Sequence, residues 1–306
     1  MTDEKLKLSF LAYNTHLFGK VAGDIPIPLL TYQDKDRTNH IIEKINNGNY
    51  DFVGLNEVWD DDLAEQIIYE TANVYPYYYK PTPEFSLPKI TGPGLLLLSK
   101  YPLNEPAFFS YDNLVGIDQF GEKGVASAMV EIYSGGKQIK LILFLTHTQS
   151  DEDERELRKT NLIQLEEAIE AYQEQNPGAL VFALGDFNVI GEDKQGNPTS
   201  EYDDVMNLFQ GSQLIDCFRE FHPNAQQEPG LTFDARENKL LRKLNPLSRA
   251  RERLDYIFYS TKGNDDVTLT ITECEVFSTG YIFEDRNMDL IDLSDHYPVL
   301  VKLELS

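Results

Sequence analysis

Hydrophobic and polar residues alternate from the start of the chain, with Leu6, Leu8, Phe10 and Ala12 on one side. That period of two predicts a strand over 6–13. Ile41, Ile42 and Ile45 then recur at helical spacing, and Asn47-Gly48 behind them is a helix stop. Phe52 to Leu55 reads as a short buried strand. Asp60, Asp61 and Asp62 offer N-caps and dipole-favoured charge to a helix carrying Leu63, Ile67 and Ile68. Strands are predicted at 94–99, 125–133 and 138–146. The clearest helix spans roughly 154–174, with Leu162, Leu165, Ile169 and Tyr172 on one face and Pro177-Gly178 as its stop. Its outer acids, Glu166, Glu167, Glu170 and Glu174, read as solvated surface. Strands recur at 179–185, 254–259, 267–276 and 298–304. Many strands with few helices between them predict two sheets packed on each other, with helices outside.

The 306 residues carry a net charge of −24 and are 41% hydrophobic. This is the make-up of a folded globular chain large enough for its own core. With no repeat, low-complexity tract or linker, the expectation is a single domain over 1–306. The acidity opposes electrostatic capture of nucleic acid. Apolar runs such as Leu95 to Leu98 and Leu141 to Leu145 are strand-sized, far short of a membrane span. Cys217 and Cys274 make no disulfide framework and read as buried free thiols. The opening MTDEKLKLSFLAY lacks a secretory pattern. The location expected from it is cytoplasmic, or secreted where a leader has been removed.

Ligand-type side chains appear directly after the apolar runs. The first strand delivers Asn14 and His16, and the second delivers Asn56 and Glu57. LFLTHTQ delivers His147 and Gln149, and VFALGDFN delivers Asp186 and Asn188. LDYIF carries Asp255, while Ser294, Asp295 and His296 precede the last strand. Singly, each is a turn former; together, at the ends of several strands, they read as a site held by a rigid scaffold. Carboxylate and amide oxygens without thiolates suit Mg²⁺ or Mn²⁺. Histidine among them suits general base work. The set fits attack of water on phosphorus, where cation and donors neutralise developing charge.

Asn14, LNE at 55–57, TH at 146–147, GDFN at 185–188, LDY at 254–256 and SDHYP at 294–298 occur in the order of the endonuclease/exonuclease/phosphatase superfamily, which the chain resembles over about 6–304. The resemblance implies an α/β fold, a four-layered α/β sandwich of two mainly antiparallel sheets flanked by helices, and phosphoester hydrolysis with Mg²⁺. Finer features resemble the neutral sphingomyelinases. They are NEVWD at 56–60, GLLLLSKYP at 94–102, D-x-x-x-x-K-G from Asp118 to Gly124, the Arg158, Thr160 and Asn161 pattern, Thr232-Phe233-Asp234 with Asn238, and the passage from Pro246 into LDYIF.

By that resemblance Glu57 is the principal metal ligand, with Asn14 beside it. Asp186 positions the attacking water or binds a second metal, and Asn188 holds a phosphate oxygen. His296 is the general base, oriented by Asp255. His147 stabilises the developing phosphorane charge, Asp295 binds metal or a bridging water, and Lys123 neutralises phosphate. Ligand roles at the metal are expected for Glu57, Asn14, Asp186, Asn188, Asp295 and His296. His16, His40 and His222 match no role and read as surface or structural.

The substrate expected is a phospholipid or another phosphodiester, cleaved as by a sphingomyelinase-type phospholipase C. A nuclease of the same fold is the alternative. It requires Lys239, Arg242, Lys243, Arg249, Arg251 and Arg253 to line the cleft, whereas their bland reading is a loop compensating nearby acids. An inositol phosphatase would carry a C-D-R-type motif where RERLDYIF stands, and a silent binding module would not need the intact ligand set. Tyr281, Ile282 and Phe283 form an apolar tip, where the resembled bacterial sphingomyelinases carry a hairpin with exposed aromatics. They are expected either to meet a lipid surface or to pack as core. The sequence leaves headgroup, metal number and oligomeric state open.

Overall fold

The Leu6–Leu17 strand alternates only at its start; from Phe10 onward every residue is buried. Both of its faces are covered. Leu8, Phe10 and Ala12 pack between two sheets, while Leu11 and Tyr13 pack under helices. Burial on both faces turns alternation into a continuous apolar run. The structure is a computed structural model and describes residues 5–19, 31–82, 89, 91–279, 283–284 and 290–306.

Each sheet has six strands. The first runs Leu269–Val276, Val299–Leu305, Leu6–Leu17, Phe52–Val58, Leu96–Ser99, Tyr77–Tyr79. The second runs Asn104–Ser110, Gly124–Ser134, Lys137–His147, Leu180–Asp186, Asp255–Ser260, Ile215–Asp216. Pairing is antiparallel except for one parallel pair in each sheet: Leu6–Leu17 with Phe52–Val58, and Lys137–His147 with Leu180–Asp186. Between the sheets, Phe10 stacks on Phe182 at 4.2 Å between ring centroids. Gly54 lets them approach, since a Cβ there would meet the methyls of Leu145 and Leu184 at 2.8 Å.

Helices cover the outer faces. Ile41, Ile42 and Ile45 of Asp34–Gly48 and Leu63 and Ile67 of Asp61–Thr71 pack on the first sheet. Asp60 caps the second of these helices, accepting from Leu63 N at 2.9 Å. Leu162, Leu165 and Ile169 of the Arg155–Gln175 helix pack on the second sheet. The result is the layered α/β sandwich that the sequence predicts. Glu166 departs from its reading as solvated surface. It is buried and accepts from Ser212 N and Oγ at 2.8 and 2.7 Å, bonds that hold the 209–212 turn against the helix. Both cysteines are buried and free. No helix is long and apolar enough to cross a membrane among the described residues. The backbone of Phe283–Glu284 pairs antiparallel with Leu290–Ile291. Tyr281, Ile282 and the Phe283 side chain lie outside the described residues.

Candidate active site

Strand register sets the site. In the parallel pair of the first sheet Asn14 lies beside Asn56, one residue before Glu57. In the second sheet Asp186 stands between His147 on its parallel neighbour and Asp255 on its antiparallel neighbour. The ends of both parallel pairs therefore meet at one pole of the sandwich. Gly185 has φ 129, and a Cβ there would meet Thr146 O at 2.2 Å, so only glycine brings Asp186 into this place. His16, Glu57 and Asn188 adopt left-handed backbone at φ 49, 58 and 50. Such strain in residues other than glycine clusters where side chains must be aimed.

Asn14 joins the sheets. Its Nδ2 donates to Glu57 Oε1 at 3.0 Å and to Asp186 Oδ2 at 2.9 Å. His147 Nε2 lies 3.6 Å from Asp186 Oδ2 and 3.9 Å from Glu57 Oε1. His296 Nδ1 is 2.7 Å from Asp255 Oδ2, and its Nε2 is 4.0 Å from Asp186 Oδ2. Asn188 donates from its backbone N to Asp186 Oδ1 at 2.9 Å and from Nδ2 to Thr148 O at 3.2 Å. Asp295 stands to one side, accepting from Ser294 Oγ at 3.2 Å.

The remaining motif residues hold this arrangement rather than enter it. Thr232 Oγ1 accepts from the backbone N of Leu254 and Asp255 at 3.0 and 3.1 Å. Asn238 Nδ2 donates to Ser294 O at 2.8 Å, and Ser294 Oγ donates to Asn14 O at 2.7 Å. Arg158 donates to Gln149 O and Asp151 O, and Asn161 accepts from Gln149 N, fixing the loop behind His147.

Carboxylates outnumber cations here, and the protonation equilibria respond. Burial, then the charge of Asp255, pushes the Asp186 carboxyl up to about 7. Burial would also raise Glu57, but the contact with His16 and its charge overcome this and hold Glu57 well below the usual carboxylate range. Burial, then the Lys123 ammonium, lowers His147 to about 3, leaving a neutral imidazole. Burial opposes protonation of His296 too, yet Asp255, followed by Asp186 and Asp295, raises it well above the ordinary histidine value.

These groups floor a cavity of about 610 Å³. Glu57, His147, Asp186, Asn188, His296 and Lys123 all line it. Phe18, Trp59, Ile117, Phe120 and Phe233 form apolar wall, and Asp151, Glu152 and Glu252 add acid. Lys123 is no free cation. It is buried, with Nζ 2.9 Å from Asp118 Oδ1, and donates to Thr148 O at 3.0 Å. Of the basic stretch, Lys239, Arg242, Lys243, Arg249, Arg251 and Arg253, none lines the cavity. Arg251 instead pairs with Asp234, and Arg253 with Glu192 and Asp216.

Among the described residues two groups can hold a metal ion: Glu57, His147 and Asp186, and Asp186, Asp255 and His296. Asp295 joins neither. His16, which the sequence reading sets aside as surface or structural, is buried at the site, 3.4 Å from Glu57 Oε2 and 3.3 Å from Asp295 Oδ2. Its only sequence signal is that it follows Asn14 past the end of a buried strand. His222 bonds Cys274 O through Nε2, and His40 sits near Glu43, both apart from the site. A divalent cation fits these residues. Glu57 Oε2 is buried with no hydrogen-bond partner, the donors are oxygen and imidazole, and a carboxylate excess lacks countercharge.

A profile of the Endonuclease/Exonuclease/phosphatase family matches residues 12–296. The chain is 26% identical over 288 residues to a Drosophila melanogaster protein that carries the neutral sphingomyelinase name, covering 91% of this chain and 58% of that protein. It is 26% identical over 275 residues to a Staphylococcus aureus phospholipase C, covering 82% of this chain and 75% of that one. A crystal structure of a Staphylococcus aureus beta toxin variant with bound magnesium ions superposes with a TM-score of 0.69 at 21% identity, covering 97% of this chain and 99% of that one.

Proposed function

The chain belongs to the Endonuclease/Exonuclease/phosphatase family, and from that premise we propose that it is a metal-dependent phosphodiester hydrolase working as a sphingomyelinase-type phospholipase C. Water cleaves the phosphodiester of a sphingophospholipid, releasing ceramide and the phospho-headgroup. The observation that carries this reading is the mouth of the cavity. Ile117 and Phe120 are 58% and 41% exposed there, above a floor of carboxylates and imidazoles. Exposed apolar groups around a polar floor suit a substrate that stays partly in lipid. The nuclease reading loses its main support, because the basic stretch lies off the cavity and acids stand in its place.

In this reading Glu57 is the principal ligand of a divalent cation, Mg²⁺ first, with Asn14 beside it. A bound cation supplies positive charge opposite the phosphate oxygens and lowers the cost of charge developing there. The chain does the rest. Once a bound cation offset the carboxylate charge that keeps its ring protonated, His296 would accept a proton from water at Nε2, while Asp255 holds the Nδ1 side at 2.7 Å and fixes the ring. Asp186 orients that water or shares a second cation. Asn188 Nδ2 meets a phosphate oxygen. Neutral His147 donates to the developing phosphorane. Lys123, tied to Asp118, adds charge only insofar as that pair opens. Asp295 acts at the edge, through water. Membrane contact comes from the mouth and, as the sequence leads one to expect, from Tyr281, Ile282 and Phe283. At −24 the protein favours zwitterionic over anionic lipid.

A substrate panel tests the proposal. Sphingomyelin vesicles, lysophospholipid, an aryl phosphodiester, DNA and inositol phosphates are each offered with Mg²⁺ and with EDTA. Sphingomyelin turnover that needs the metal and exceeds the rest supports the assignment; preferential turnover of DNA or inositol phosphates overturns it.

A further inference from the structure

We propose that His16 is a positioning residue of the divalent-cation site, holding the Glu57 carboxylate on the side that Asn14 does not reach. The inference rests on the metal-dependent reading above and goes beyond it by assigning a new residue. After Asn14 the first strand loses register with its parallel neighbour and regains it at Leu17. His16 sits in this bulge with φ 49, a region that residues other than glycine seldom enter.

Arg37 holds the bulge. Its guanidinium is fully buried and donates through Nη1 to Thr15 O at 2.9 Å and Leu293 O at 2.6 Å, and through Nη2 to His16 O. Nη2 also meets Asp34 Oδ1 at 2.7 Å, and Asp34 Oδ2 accepts from Gly19 N at 2.8 Å. Carbonyls that the broken ladder leaves over thus find donors. The same cation joins the segment after Asn14 to the segment before Ser294.

On this backbone the His16 ring lies between two carboxylates. Nδ1 faces Glu57 Oε2 at 3.4 Å and Asp295 Oδ2 at 3.3 Å, and Phe18 packs edge-on at 4.8 Å between ring centroids. Asn14 bonds Oε1, so Glu57 is approached at both oxygens. The ring packed between the two carboxylates limits how far either can swing. A ligand bonded at one oxygen and flanked by a ring at the other gives up less freedom when it takes an ion.

Two variants separate positioning from folding. His16→Gly accepts the left-handed backbone and deletes the ring. His16→Asn also tolerates that backbone and places an amide N–H near the position of Nδ1. Mn²⁺ affinity of the full chain is measured by calorimetry, with the thermal midpoint in EDTA reporting the fold. His16→Gly should bind Mn²⁺ about 10–100-fold more weakly, and His16→Asn should return to within about threefold of wild type. Wild-type affinity in the glycine variant, or no recovery in the asparagine variant, overturns the inference alone. A wild-type chain that takes up no Mn²⁺ overturns it together with the metal-dependent reading.

Discussion

Of two buried charged clusters in this sandwich, one around Arg253 and one around Glu57, only the first is balanced. In the first, Arg253 reaches Glu192 at 3.0 and 2.7 Å and Asp216 at 2.7 Å, while Arg219 meets Glu192 at 2.6 Å. Tyr202 donates to Asp216 at 2.8 Å, and the Arg253 guanidinium lies 4.4 Å from the Tyr256 ring centroid. Each carboxylate there faces a guanidinium. In the second, Glu57, Asp186, Asp255 and Asp295 gather around histidines, and Glu57 Oε2 and Asp255 Oδ1 are buried without hydrogen bonds. Burial is common to both. What separates them is countercharge: one cluster completes itself, and the other is complete only with something added.

The sharpest way to break the comparison is Glu57→Gln, which keeps shape and removes charge. Turnover should fall by on the order of 10³ or more, with weaker Mg²⁺ affinity, while the midpoint without metal is unchanged or raised. Unchanged turnover and metal response would sink the assignment. Next comes the His296 and Asp255 pair. Each alanine substitution should cost at least about 10²-fold, and the double variant no more than the worse single one; a loss equal to the product of the two would separate them. On the balanced side, Arg253→Met leaves Asp216 with no guanidinium and Glu192 with Arg219 alone. It should lower stability by about 3–5 kcal/mol in denaturant unfolding, with turnover per folded molecule unchanged.

Glu192 of the first cluster and Asp186 of the second should also respond to pH with opposite sign. Burial would raise Glu192, but Arg253, then Arg219, holds its carboxyl below the ordinary value. Its stabilisation is therefore full above the unfolded value of about 4.3 and lost as pH falls through the folded one. Asp186 is raised to about 7, so the native state holds its proton where the unfolded chain releases it. Stability without metal should thus fall as pH rises from about 4 to 7, and Asp186→Asn should flatten that decline in a pH series of unfolding midpoints. The smallest effect concerns the mouth. Ile117→Ser with Phe120→Ser should lower vesicle turnover several-fold and spare a soluble aryl phosphodiester; equal loss on both would make these residues part of the chemistry rather than of lipid contact.

The sequence carries much of this because the site is made at strand ends. An apolar run followed at once by Glu57, His147 or Asp186 is a local pattern, and the strands found there begin and end within a few residues of the predicted ones. Tyr77–Tyr79 and Asn104–Ser110 leave no such pattern, since they lie at sheet edges and are largely exposed, with little alternation to read. Helical spacing tells which face Glu166 is on, not that Ser212 covers it from a distant turn. The place of His16 is hidden from the sequence for a similar reason. Its partners, Glu57, Asp295 and Arg37, come from three other segments, and only the fold brings them together.

The antiparallel pairing of Leu6 with Leu305 has a practical consequence. Asn14 stands at the far end of the same strand from Leu6, about 25 Å away at ~3.3 Å per residue. A linker, fluorophore or solid support attached beside Leu6 or Leu305 is therefore held at the pole opposite the cavity. Immobilised through either of those strands, every molecule on a surface would present its open mouth outward, a ready orientation for a biosensor or a supported bilayer.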